Sequence, residues 1–275
     1  MRTLRLLTVL PLAAAVLLPA AAAAAQDRDR DRDGDWVGRC ERWNGDSDRE
    51  NFCEERVVRI ATPRLLEVDG HQNGGVSVRA WDGSGVEVRE RIQAWAPSRG
   101  EAQQLARQVR VTTDGGRIRS DGPETGRGRG YSVSYLILVP RRMDLNVETR
   151  NGPVGVEGVT GRMQLTAVNG PVSLRDVGGD VRARAQNGPL SVSLTGTRWN
   201  GAGLDAETTN GPVTLTLPSG YAATLTTGTV NGPMNVDFPV TVQGRFPRQF
   251  TTELGGGGAP IRVVTTNGPV NVRRR

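Results

Sequence analysis

The sequence predicts an all-β chain, a single-domain β-solenoid (β-helix-like) of stacked rungs about 18–23 residues long, with one short helix in an N-terminal capping region. Three observations predict it. The tripeptide Asn-Gly-Pro recurs six times at related spacings. Aliphatic and polar residues alternate on both sides of each copy. Aromatic residues are only 4% of the 275-residue chain, which argues against a compact, aromatic-rich core, while the 36 glycines fall at fixed places.

The copies are Asn151-Gly152-Pro153, Asn169-Gly170-Pro171, Asn187-Gly188-Pro189, Asn210-Gly211-Pro212, Asn231-Gly232-Pro233 and Asn267-Gly268-Pro269. Their spacings are 18, 18, 23, 21 and 36, and the last, being twice 18, predicts one rung whose corner has lost its signature. Six residues before each Asn stand Leu145, Met163, Val181, Leu204, Leu225 and Ile261. Five residues after it stand Val156, Leu174, Val192, Leu215, Val236 and Val272. Positions −4 and +3 are also mostly aliphatic, so each unit reads as two half-buried strands meeting at a corner. Asn and Gly tolerate the positive φ of a tight reversal. Pro removes a backbone donor and so belongs at a corner. An antiparallel meander is the rival reading, but meander turns rarely repeat one tripeptide at one spacing. Stacked coils about 4.8 Å apart would let the asparagines form an amide ladder. One rung cannot bury its own apolar face, so rungs need a stack and the stack needs caps.

The remaining elements follow in chain order. Residues 1–25 read as a signal peptide: Arg2 and Arg5, an apolar run broken by Pro11 and Pro19, and an alanine-rich cleavage site after Ala25. Its removal leaves no transmembrane segment and lowers the net charge from +6 to +4. Residues 26–56 read as a disordered linker. Cys40 and Cys53, the only cysteines, are expected to pair in an oxidising compartment. Asp29, Asp31, Asp33 and Gly34 match half of a calcium loop, but Cys40 occupies the position of the bidentate glutamate and three arginines neutralise the run, so no metal site is assigned. Residues 57–140 read as a capping β region, in which Asn73-Gly74-Gly75 is a degenerate corner. Ser98 and Glu101 open a helix over 98–109 with Ala102, Leu105, Ala106 and Val109 on one face. Strands are expected at 111–120 and 131–139, separated by a Gly- and Arg-rich loop. Residues 141–275 form the Asn-Gly-Pro solenoid, and Arg273, Arg274 and Arg275 on its last strand would discourage end-to-end pairing.

Candidate chemistry is sparse. The single histidine, His71, excludes a conventional Ser-His-Asp or Cys-His arrangement built on a second one. Asp205/Glu207 and Asp176/Asp180 are possible acid/base pairs, more simply read as outward polar positions. No cofactor motif is present. The sequence pI of about 10.4, with every basic residue an arginine, hints at nucleic acid, but the acidic count nearly balances it. Trp36, Trp43, Trp81, Trp95 and Trp199 could form a carbohydrate platform, with core or cap packing the simpler reading.

The run Gly75-Val76-Ser77-Val78-Arg79-Ala80-Trp81-Asp82, the capped helix, the strand ending at Val139-Pro140 and the tandem Asn-Gly-Pro units together resemble the bacterial putative-adhesin family, secreted β-strand-repeat domains of unknown function. The resemblance spans about 57–272 and implies a β-solenoid in the cell envelope or at the surface, with no catalytic residues to transfer. The functional expectation is a non-catalytic exported protein of the periplasm, cell surface or exterior. It would be an adhesin-like interaction or structural module meeting an envelope polymer, a glycan or a protein, and not nucleic acid. A glycan-acting β-helix lyase or hydrolase is the alternative.

Overall fold

In the computed structural model, which describes residues 49–239 and 248–275, each Asn-Gly-Pro unit joins a strand of one sheet to a strand of a second. The chain begins with β1 (Glu50–Ile60), β2 (Leu65–Asp69), β3 (Val76–Trp81), β4 (Val86–Ala96), the helix α1 (Arg99–Gln108), β5 (Arg110–Thr112), β6 (Arg117–Asp121) and β7 (Gly130–Pro140). Then come β8 (Asp144–Asn151), β9 (Val154–Glu157), β10 (Thr160–Asn169), β11 (Val172–Arg175), β12 (Gly178–Asn187) and β13 (Leu190–Ser193). It closes with β14 (Gly203–Asn210), β15 (Val213–Leu217), β16 (Ala223–Asn231), β17 (Met234–Val236), β18 (Gln249–Leu254), β19 (Pro260–Asn267) and β20 (Val270–Arg274).

The fold is an all-β solenoid of two ten-stranded sheets. The first runs β5-β6-β2-β8-β10-β12-β14-β19-β16-β18, and the second runs β1-β4-β7-β3-β9-β11-β13-β15-β20-β17. Between β6 and β16 in the first sheet, and between β7 and β17 in the second, every pairing is parallel. The register aligns each corner Asn with the next. Leu145, Met163, Val181, Leu204, Ile261 and Leu225 form one buried row, and Val156, Leu174, Val192, Leu215 and Val272 form another from the facing sheet. The core is the seam where these rows meet.

Two rungs lie out of chain order. β19 and β20 fit between the β14/β15 rung and the β16/β17 rung. The 36-residue interval is therefore no lost corner. After β17 the chain returns as β18, antiparallel to β16, and Gly255–Gly258 carry it past the start of β16 into an interior slot. The positive φ of Gly255, Gly256 and Gly257 permits that reversal, since the left-handed region strains a residue with a Cβ. It follows that Arg273 and Arg274 sit on an interior strand, opposite Thr216 and Leu217, and do not guard an end. At the other end, β2 and β3 lie between β6/β7 and β8/β9.

The corners also differ from expectation. No corner Asn has positive φ, and neither do Gly152, Gly170, Gly188 or Gly232, while Gly211 and Gly268 do, at 157° and 149°. At every corner glycine is required by closeness. A Cβ on Gly170 would lie 2.1 Å from the Gly152 carbonyl oxygen, and one on Gly188 would lie 2.2 Å from that of Gly170.

No break separates the expected cap from the expected solenoid, because both sheets continue through residue 140. β1 starts at Glu50, inside the segment expected to be a linker, because its alternation buries Cys53 against the β4 hairpin. Cys40 lies outside the described residues, as do the signal peptide and the aspartate run at Asp29, Asp31 and Asp33; Cys53 is not a free thiol. The strand expected at 111–120 is instead the hairpin β5–β6, broken at Asp114–Gly116, where Gly115 and Gly116 have positive φ. The helix forms where expected. The Ser98 hydroxyl accepts the Glu101 N–H at 3.3 Å, Ala102 and Ala106 are buried, and the Arg56 guanidinium donates to the Val109 carbonyl at 2.9 Å.

Candidate functional site

Stacking turns each corner residue into a column. The asparagines run Asn73, Asn151, Asn169, Asn187, Asn210, Asn267, Asn231 in space. Each Nδ2 donates to the preceding Oδ1, at 3.2 Å for the first pair and 2.8–2.9 Å for the rest. The corner glycines add a backbone series in the opposite sense: Gly152 N–H donates to the Asn169 carbonyl, and Gly170 N–H to that of Asn187, both at 3.1 Å. The corner prolines project alongside; lacking an N–H, each leaves its carbonyl to accept from the preceding rung, as Pro171 does from Val154. Threonine two residues before the Asn adds a third series that sequence reading missed. The hydroxyls of Thr149, Thr208, Thr229 and Thr265 are buried and donate at 2.9 Å to the carbonyls of Gly152, Gly188, Gly268 and Gly211. The signal was available as a repeated Thr at position −2, where Ala167 and Ala185 interrupt it.

On the outer face of the first sheet, neighbouring rungs set unlike charges opposite one another. Arg262 bridges Asp205 at 2.6 Å and Glu207 at 3.0 Å, and Arg184 takes the other Glu207 oxygen at 2.9 Å. Burial works against the charge of Arg262, but hydrogen bonds to both carboxylates raise its pKa further. The Asp205/Glu207 pair is thus held by two guanidinium groups. A general acid needs a proton, and arginine contacts favour the ionised carboxylate. Asp176 occupies a left-handed turn between rungs, with φ 50, while Asp180 stands on β12. Arg117 pairs with Glu67 at 2.8 Å on the same face. The outer face of the second sheet is quieter: Ser173, Ser191, Thr214, Asn271 and Asn235 align, with an Asn235–Asn271 amide bond of 3.0 Å.

The other candidates fall to structural roles. His71 has φ 54, and its N–H bonds to Asp69 at 2.8 Å, so it shapes a turn. The Trp199 indole donates to the Gly179 carbonyl at 3.0 Å from a buried position, and that of Trp81 donates to the Gly85 carbonyl at 3.2 Å. Trp95 lies over Gly130, where a Cβ would meet its ring at 2.3 Å. Trp36 and Trp43 lie outside the described residues. Among the described residues, no group of three His, Cys, Asp or Glu is placed to hold a metal.

A model of the Toastrack DUF4097 family matches residues 98–273, from the α1 cap to β20. The chain belongs to the Toastrack family. Its Toastrack stack nonetheless extends beyond the match, because β2 and β3 form a rung inside it. In structure the Toastrack chain is similar to a putative cell adhesion protein from Clostridium sporogenes, with 8% identity, 82% of this chain and 100% of that one covered, and a TM-score of 0.47. It is also similar to a putative adhesin from Bacteroides fragilis, with 11% identity, 82% and 97% covered, and a TM-score of 0.32. A third is a putative adhesin from Parabacteroides distasonis, with 9% identity, 80% and 97% covered, and a TM-score of 0.35. No curated protein matches the Toastrack chain.

Proposed function

We propose that this chain is a non-catalytic exported module of the cell envelope or surface, and that it works by presenting the rigid outer faces of its stack to an envelope polymer, a glycan or a protein. The observation that carries the reading is the fate of the charged side chains. They stand at rung spacing on the outer face of a sheet and neutralise one another, as in the chain Asp205–Arg262–Glu207–Arg184. Carboxylates used in this way support a recognition surface better than proton transfer. Export rests on the signal-peptide reading of residues 1–25, and in that compartment Cys40 and Cys53 would pair.

Envelope fractionation of the native host, with cross-linking to capture a partner, tests the proposal. The protein is expected in the periplasm, at the surface or outside, joined to envelope material; a cytoplasmic location would count against it. The enzymatic alternative is met by assaying polysaccharide cleavage with wild type and with the Asp205→Asn, Glu207→Gln double variant. Cleavage that disappears in the variant would replace the present reading.

A further inference from the structure

β6 and β7 make a rung outside β2 and β3, but they are joined by the loop 122–129 in place of an Asn-Gly-Pro corner. The loop stands away from the column and leaves a cavity of about 480 Å³, whose lining includes His71, Gln72, Asn73, Ser120, Glu124 and Tyr131. Pockets that hold small ligands fall in this size range.

Three features show a preference in what this cavity can hold. Asn73 is the first member of the amide ladder. Its Oδ1 accepts from Asn151 at 3.2 Å, so its Nδ2, spent on a neighbour at every other corner, is left over on the cavity side. Beneath the lining is an unpartnered buried polar group. Ser120 is 2% exposed, and against it lies the hydroxyl of Tyr135, which is 1% exposed and has no well-formed hydrogen bond. Among the described residues no arginine lines the cavity, in a chain whose 35 Lys and Arg residues are all arginine. What remains is amide, hydroxyl, phenol and imidazole, one carboxylate, and the Tyr131 ring. Burial and the nearby Asp121 raise the Tyr131 pKa, so its hydroxyl stays a donor.

An anionic ligand would find no positive charge there, and a purely apolar one would strand several donors and acceptors. A polyhydroxyl ligand matches both the spare groups and the ring face. We propose that this cavity at the head of the asparagine ladder binds the end of a neutral saccharide chain, with Asn73 Nδ2 and the Tyr131 hydroxyl donating and Glu124 accepting. The proposal deepens the reading of the chain as a non-catalytic recognition module and rests on it.

The test titrates the purified protein with chitotriose, cellotriose and maltotriose, using trigalacturonate as the charged control, by saturation-transfer NMR and calorimetry. At least one neutral trisaccharide is expected to bind with a Kd of about 1 mM or tighter, and more tightly than trigalacturonate. Asn73→Asp keeps the acceptor that Asn151 needs and removes the spare donor, and Tyr131→Phe removes a single oxygen. Each should weaken binding about tenfold or more with an unchanged Tm, as expected when a buried polar partner is lost. The proposal is overturned if none of the three binds, if trigalacturonate binds as well as they do, or if both variants bind like wild type. Those outcomes would leave partner capture by the outer faces standing. A cytoplasmic location would remove the envelope reading and leave a measured cavity affinity in place.

Discussion

Gly170→Ala is the most direct way to ask whether the rungs are stacked through their corners. The added methyl would stand 2.1 Å from the Gly152 carbonyl oxygen and 2.6 Å from its carbon. Ordinary contact needs about 3.5 Å, so two rungs must part by roughly 1 Å on a spacing of about 4.8 Å. Three bonds cross that gap: Gly152 N–H to the Asn169 carbonyl at 3.1 Å, Val154 N–H to the Pro171 carbonyl at 2.9 Å, and Asn169 Nδ2 to Asn151 Oδ1 at 2.9 Å. Overpacking costs about 1–3 kcal/mol and weakened hydrogen bonds about 1 more, giving a loss of roughly 3 kcal/mol. For a chain of this size that lowers Tm by about 6–12 °C. Gly220→Ala is the control, because a Cβ there meets nothing within 4 Å and φ is not positive; it should stay within about 0.5 kcal/mol of wild type. Thermal and urea denaturation of both variants decides the matter. If Gly170→Ala and Gly220→Ala melt together, the corners do not lie over one another as described.

Glu90→Gln should stabilise the fold at alkaline pH. Burial pushes the Glu90 pKa up to about 7, only partly opposed by Arg56 on β1, while Tyr135 faces it from β7. Below about pH 4.5 the carboxyl is protonated in both folded and unfolded chains, and the variant should equal wild type. Between 4.5 and 7 the unfolded chain ionises first, so wild type loses stability as pH rises, and at pH 8 the variant should gain on the order of 2 kcal/mol. Asn169→Ala removes two exposed amide bonds and should cost about 1–2 kcal/mol; a double-mutant cycle with Asn187→Ala should show a coupling near half of that. Removing residues 260–275 should do more than shorten the stack, because it empties an interior slot between β14 and β16. Hydrogen exchange of that truncation is expected to show β16 and β17 unprotected together, and protection there would contradict the inserted topology.

Much of this architecture could be read from the chain itself. The six Asn-Gly-Pro units and the degenerate corner at Asn73 share one column, and the rows from Leu145 to Ile261 and from Val156 to Val272 turn to the core, because a two-residue period fixes which side chains enter a parallel core. The Ser98 cap was equally legible, since capping is local. Order in space was not. Nothing in residues 231–267 says that Asn267 will rest on Asn210, because every corner is chemically equivalent and any rung can follow any other. Nor could the whole of the glycine requirement be assigned, since positive φ is found at Gly211 and Gly268 but close approach at every corner. A tripeptide shows which conformations it tolerates but not that another carbonyl will press on it from the rung beside it. The cavity by the 122–129 loop was invisible for a related reason: it exists where a corner is missing, and its lining comes from the β2–β3 corner, β6, β7 and the loop itself, whose adjacency arises only when one rung settles outside another.

The inserted rung has a consequence for the timing of folding. Synthesis delivers the chain from its N-terminus, yet β19 and β20 fill a place inside a rung that emerges before them. The β14–β16 region therefore has to stay open, or reopen, until β18, β19 and β20 have also arrived.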